Sequence, residues 1–197
     1  MILGPLAALD SATNEFRRHL EAVGEAEWAV ATPCTDWDVR YLVAHVVGGN
    51  RFASMILDGR TASEAMDAVM GAPQLGAAPL EDFDESTTGM RMRFHRAGAL
   101  DAVLSHPLGD LSGGRFLGMR VFDITLHAWD LATAIGRVVT FEERLVEFVV
   151  ETVTSEGTAL GFGMEPCGEA GPDASALERL LDLSGRRAER DPSPPRS

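Results

Sequence analysis

Apolar residues recur at helical spacing along almost the whole chain, and this pattern narrows the available folds more than any other feature. Leu6, Leu9, Phe16, Leu20 and Val23 share one helix face, and Phe83, Met90, Phe94, Ala97, Leu100 and Leu104 share another. No stretch shows a convincing strand alternation. The spacing predicts a helix over Pro5–Val23, stopped by Gly24, and a second over Asp36–Leu57, capped by Thr35 or Asp36. Asp36 and Asp38 suit the positive end of that second helix. A short helix over Ala62–Met70 opens with the capping box "TASE", and the breaker-rich loop "GAPQLGAAP" follows. Further helices are expected over Leu80–Leu104, Arg115–Ile135, Phe141–Glu156 and Ser175–Leu183, the last two opened by the boxes "TFEE" and "SALE". The expectation is all-α: an antiparallel bundle of four principal long helices with short additional ones, in one domain over residues 1–185. The charged, Pro-rich "RRAERDPSPPRS", residues 186–197, is expected to be a disordered tail.

Composition removes several functions. The net charge of −13 argues against nucleic acid or an anionic membrane as partner. All 17 basic residues are arginine, as a GC-rich coding genome would favour. Without lysine there is no P-loop lysine and no Schiff-base chemistry. Neither a G-x-G-x-x-G after a strand nor a G-x-S-x-G elbow is present. No apolar run reaches the ~18 residues of a membrane helix. The start has no basic region of a signal peptide, and Cys34 and Cys167 lie far apart, so a cytoplasmic location is expected.

Against this background "RVFDITLHAWDLATAIG", residues 120–136, stands out. Asp123 and His127 point the same way, one turn apart, in a run otherwise suited to packing. Burying them costs several kcal/mol unless something compensates. His45 lies in the most apolar part of the second helix, beside Leu42 and Val46. Taken singly, each has an ordinary explanation: a core histidine satisfied by a carbonyl, or an internal carboxylate–imidazole pair. Taken together, two helices of a bundle each bring an imidazole and one also brings a carboxylate, which is how metal sites in bundle cores are built. Two imidazoles and a carboxylate suit zinc, nickel or iron with positions left open.

Gly48 and Gly49 follow His45 inside a helix, where each glycine costs about 0.5–1 kcal/mol relative to alanine. They either leave space beside a metal or admit a closely packed helix. Asn50, Arg51, Arg120 and Trp129 are candidates for the rim of such a space, with Arg51 or Arg120 suited to an anionic group on a substrate. Asp130 is a candidate to orient a ligand. Cys34 has no obvious histidine partner and reads as structural. His19 and His95 sit among charges and read as surface, and His106 as a turn residue.

The stretches "TPCTDWDVRYLVAHVVGGNRFA" and "DITLHAWDLATAIG" resemble the two metal motifs of the mycothiol-dependent maleylpyruvate isomerase N-terminal domain family, within the DinB-like superfamily. "PDASALERLLDLSGR" is similar to the C-terminal end of short actinobacterial members. The resemblance implies a DinB-like four-helix bundle and a divalent metal, typically zinc, held by His45, Asp123 and His127. It also implies mycothiol as co-substrate. Asp123 stands where the isomerase has a glutamate, and only a short helix and tail stand where the isomerase has a further domain. Maleylpyruvate itself is therefore not the expected substrate.

The function expected is that of a metal-dependent thiol enzyme, a mycothiol transferase or isomerase, with a small-molecule thiol and an electrophilic substrate as partners. The metal would supply thiolate at neutral pH. Alternatives are a metal-dependent hydrolase or secondary-metabolism enzyme without thiol, a non-catalytic metal-binding module, and a purely structural Asp–His pair. A homodimer through a helix face stays open.

Overall fold

Every expected helical segment forms, and the differences lie at the ends. In a computed structural model, which describes residues 3–156 and 165–187, the helices are α1 (Pro5–Glu21), α2 (Val39–Leu57), α3 (Ala62–Met70), α4 (Pro79–Phe94), α5 (Gly113–Ala134), α6 (Glu143–Glu156) and α7 (Ala176–Leu183). Capping boxes open α3 at Thr61 and α7 at Ser175. Residues 188–197, most of the expected tail, lie outside the described residues.

Helix α5 decides the architecture. Every residue from Phe116 to Ala132 is buried, so this helix has no solvent face and must be surrounded. It packs on α1 and on α2, and these in turn both pack on α4, closing a four-helix bundle. Phe16 of α1 stacks on Phe83 of α4 at 5.0 Å between ring centres. Helix α6 covers α5 and α1 from outside, α7 rests on α6, and α3 lies on α2. The result is a DinB-like helical fold.

Two expectations are corrected. The segment expected as one helix over Leu80–Leu104 stops at Phe94, and Gly98 turns the chain with φ 78°. The chain then forms a small hairpin in which β1 (Val103–Leu104) pairs antiparallel with β2 (Leu111–Ser112). Two residues per strand are too few to show an alternation. Gly113 lets the backbone at Ala99 come against the start of α5, where a Cβ would collide with the Ala99 carbonyl. Helix α2 also starts later than expected, with Asp38 as its cap: Asp38 Oδ1 accepts from the Tyr41 N–H at 2.8 Å.

Candidate metal centre

The loop before α2 folds back on itself. Asp36 adopts φ 64°, a conformation that aspartate tolerates better than most residues, and the Trp37 N–H donates to the Cys34 carbonyl at 3.1 Å. The Thr32 hydroxyl clamps the turn by donating to the Trp37 carbonyl at 3.0 Å. This places Trp37 over the junction of α2 and α5. Its ring lies 4.8 Å from that of His45 and 5.6 Å from that of His127.

His45, Asp123 and His127 meet beneath Trp37. His45 Nε2 lies 3.2 Å from Asp123 Oδ1, and His127 Nε2 lies 3.6 Å from the same oxygen. Their ligand atoms all fall within 4.8 Å of one another. Donors held ~2.0–2.2 Å from a tetrahedral zinc sit roughly 3.3–3.6 Å apart, so the spacing suits a small divalent ion. The other Asp123 oxygen is engaged: Arg120 donates to Oδ2 at 2.9 Å. Oδ1 is thereby left as the single carboxylate donor.

Each of these groups is held by a further partner. Arg120 also donates to Asn50 Oδ1 at 2.8 Å, and Asn50 Nδ2 donates to Thr87 at 3.1 Å and Ser86 at 3.3 Å. On the far side of the imidazole, Asp130 Oδ2 lies 3.0 Å from His127 Nδ1. The Cys34 thiol donates to Asp130 Oδ2 at 3.2 Å, and its sulfur is 3.9 Å from His127 Nδ1. Arg186 donates to both Asp130 oxygens, at 3.1 and 2.8 Å, and to Cys34 Sγ at 3.4 Å. Cys34, His127 and Asp130 form a second group of donors close enough to hold an ion, but the Arg186 guanidinium already supplies a cation there.

The charges follow from this packing. Burial alone would push the Asp123 carboxyl up, yet Arg120, His45 and His127 outweigh it and hold it well below the usual carboxylate range. Burial would likewise push His127 down, but the charge of Asp123 and hydrogen bonds with Asp123, Asp130 and Cys34 raise it well above an ordinary histidine. Asp130 is lowered against its own burial by hydrogen bonds with His127 and Arg186.

A cavity of about 440 Å³ opens beside the centre. The buried Asp123 and Arg120 and the half-buried His45 line it, together with Met66, Val69 and Met70 of α3. The structure separates the four candidate rim residues. Arg120 lines the cavity, whereas Asn50 is fully buried behind it as the support of Arg120. Arg51 turns away to the Gln74 carbonyl at 2.8 Å and to Asp82 at 3.4 Å. Trp129 lies in the hydrophobic core and is not in the cavity lining. The aromatic beside the centre is Trp37, which precedes the helix and so escapes any helical spacing.

The glycines divide their roles. A Cβ on Gly49 would lie 2.8 Å from Arg120 Cζ, so the space expected beside a metal is filled by that guanidinium. A Cβ on Gly48 would meet Gln74 Cγ at 3.2 Å and Val69 Cγ1 at 3.3 Å, so Gly48 admits α3.

Four further expectations change. Cys34 has a histidine neighbour after all, His127 across the α2–α5 junction. His19 is buried, 4% exposed, with its Nε2 3.2 Å from Glu15 Oε1. His106 accepts from the Leu108 N–H at 3.2 Å as a turn residue and also lines the cavity. Arg186, expected at the start of the disordered tail, is tied to Asp130.

Residues 9–132 match the family model of the mycothiol maleylpyruvate isomerase N-terminal domain. The chain belongs to that family. An uncharacterized protein of Mycobacterium tuberculosis, found in two strains, is 29% identical over 200 residues, covering 93% of this chain and all of that protein. The crystal structure of a mycothiol-dependent maleylpyruvate isomerase superposes with a TM-score of 0.60 at 19% identity. A histidine-to-alanine variant of such an isomerase gives 0.63 at 18%. Each superposition covers 81% of this chain and 72% of the isomerase chain. At this identity the likeness is one of fold. No described helix is long and apolar enough to cross a membrane.

Proposed function

We propose that this member of the family is a divalent-metal-dependent thiol enzyme that joins a low-molecular-weight thiol, mycothiol, to a small electrophile. The observation that carries the reading is the meeting of His45, Asp123 and His127 beside a cavity that His45 and Asp123 line. Three protein donors with room for an exogenous ligand is the pattern of catalytic rather than structural zinc. The donor chemistry fits: two imidazoles and one carboxylate oxygen suit zinc, with nickel and iron as alternatives. With a divalent metal bound, His45, Asp123 and His127 would hold it, and the chemistry it would supply is a lowered thiol pKa, hence thiolate at neutral pH.

The remaining work falls to residues of the chain. Asp130 keeps the proton on His127 Nδ1 and so presents Nε2 as a lone-pair donor. Arg120 occupies Asp123 Oδ2 and fixes the orientation of the carboxylate. Arg51, a candidate to hold an anionic group of the substrate, is directed instead to Gln74 and Asp82. The apolar walls keep water from competing with sulfur for the electrophile. The unpaired Cys34 and Cys167 support a reducing, cytoplasmic location.

The test is thiol consumption by the metal-loaded protein against a panel of activated alkenes and epoxides, with mycothiol as thiol. Turnover that disappears on chelation and returns with metal is expected. Full turnover in chelated protein, or turnover indifferent to thiol, contradicts the reading.

A further inference from the structure

The β1–β2 hairpin brings to the cavity a polar group that the metal centre does not use. His106, in the hairpin loop, is half-buried and lines the same cavity as His45 and Asp123. Its ring meets Phe52 of α2 edge to face at 6.1 Å between centres and lies tilted against Phe116 of α5 at 5.4 Å. The two phenyl rings also meet each other, at 6.2 Å. Phe52 follows His45 by seven residues, and Phe116 precedes Asp123 by seven. Seven residues are two helical turns, roughly 10 Å along each helix. Both helices thus place His106 the same two turns away from the candidate ligands that line the cavity.

The loop holds that ring in place from both sides. Ser105 Oγ accepts from the Ala62 N–H at 3.1 Å, which pins the loop to the start of α3. The Gly109 N–H donates to the His106 carbonyl at 2.9 Å, and Gly109 turns the chain with φ 98°. His106 Nδ1 accepts from the Leu108 N–H at 3.2 Å. A ring nitrogen that accepts carries no proton, so the neutral imidazole bears it on Nε2. Burial and the charge of Arg115 hold His106 below an ordinary histidine, which keeps the ring neutral at physiological pH. Among the described residues, none accepts from Nε2. An N–H set between phenyl rings without an acceptor is costly until a ligand or water supplies one.

We propose that His106 is a second anchoring point of this cavity, its Nε2–H donating to a carbonyl oxygen of the bound ligand. The ligand class that fits is an elongated molecule with a metal-seeking head, an apolar middle and a carbonyl about two helical turns farther along. Met119, one turn from Asp123 on α5, supplies apolar wall between the two points. His106 positions the ligand and moves no proton. That the head meets a metal rests on the thiol-enzyme reading; the carbonyl contact at His106 does not.

Two arms of one experiment separate the two points. In the first, chelated full-length protein with isotopically labelled histidine is titrated with hexanamide, which carries a carbonyl and no metal-seeking group. Long-range nitrogen–proton spectra should show His106 as the Nε2–H tautomer, and hexanamide should shift Nε2 and slow the exchange of its proton. His106→Asn keeps an oxygen to accept from the Leu108 N–H but lacks the distal donor, and should bind hexanamide about two- to tenfold more weakly. His106→Gln, whose amide nitrogen reaches farther out, should recover part of that loss; thermal melts check the fold of both variants. In the second arm, calorimetry compares ω-mercaptoalkanamides, from mercaptoacetamide to mercaptodecanamide, with alkanethiols of equal length on zinc-loaded protein. The amides should outbind the plain thiols only near the length that spans both points, and His106→Asn should erase that excess. An Nδ1–H tautomer, an Nε2 signal unmoved by hexanamide, or undiminished hexanamide affinity in folded His106→Asn would overturn the proposal. Thiol binding with no preferred length would overturn the two-point span. No thiol binding to the zinc-loaded protein, with the hexanamide effect at His106 intact, would uphold the His106 contact and reject the thiol reading.

Discussion

Asp130 Oδ2 stands 3.0 Å from His127 Nδ1 and receives the Arg186 guanidinium at 2.8 Å on the same oxygen. An ionised carboxylate can only accept, so the imidazole carries its proton on Nδ1 and turns Nε2 toward Asp123. One carboxylate thus fixes the tautomer of a candidate ligand and ties the segment after α7 to the centre of the bundle.

Replacing Asp130 with Asn keeps the shape but removes the charge. Metal affinity is expected to fall about 10–100-fold, the usual effect of losing such an orienting partner. Competition with a fluorescent chelator measures it, and unchanged affinity contradicts the role. Because Arg186 loses its buried counter-charge, the variant should also be destabilised, by up to about 3–5 kcal/mol. Denaturant unfolding of the metal-free protein reads that separately.

Adjacent glycines should respond differently. In Gly49→Ala the new Cβ meets the rigid Arg120 guanidinium, which is pinned by Asp123 and Asn50, so a loss of about 1–3 kcal/mol is expected. In Gly48→Ala the neighbours are side-chain carbons at 3.2 and 3.3 Å that can yield, and the helix-propensity gain of about 0.5–1 kcal/mol offsets the crowding. Unfolding midpoints of the two variants should differ clearly. Equal effects would contradict the division of roles.

Metal uptake should depend on pH in a definite sense. With His127 raised well above its ordinary value, the metal-free protein is protonated there at neutral pH, and binding must expel that proton. Apparent affinity should therefore rise about tenfold per pH unit until the raised His127 value is passed. Calorimetry in buffers of different ionisation enthalpy counts the proton. Linkage fixes the sign for stability as well. The His127 contribution to the metal-free fold is fully present below the unfolded value of ~6.5 and is lost as pH rises through the folded value. The Asp123 contribution, from a depressed carboxyl, is lost only as pH falls through its folded value. A metal-free protein that gains stability as pH rises through the His127 titration would contradict this assignment.

Helix spacing and capping residues are local, which is why α3 appeared with its bounds and α5 could be recognised as a fully packed helix from sequence. His45, Asp123 and His127 were legible for the same reason: polar groups at core positions demand an explanation. Trp37, Cys34 and Arg186 were not legible as neighbours of the centre. They sit on loop segments whose placement depends on the turn at Asp36 and on the course of the chain beyond α7, and no periodicity records either. Arg51 misled because it follows Asn50 by one residue, and one residue on a helix turns a side chain about 100° away, here toward Gln74 and Asp82. The hairpin at Val103–Leu104 escaped because apolar residues at helical spacing continue past Gly98, where the helix has already ended.

The central claim is that His45, Asp123 and His127 together hold a metal. Elemental mass spectrometry of purified, untagged protein tests it directly, before and after chelation and beside the His45→Ala variant. The account predicts about one divalent ion per chain, removed by chelation and missing from a variant that keeps its helical circular dichroism. No metal after attempted reconstitution, or equal metal in the variant, would contradict it.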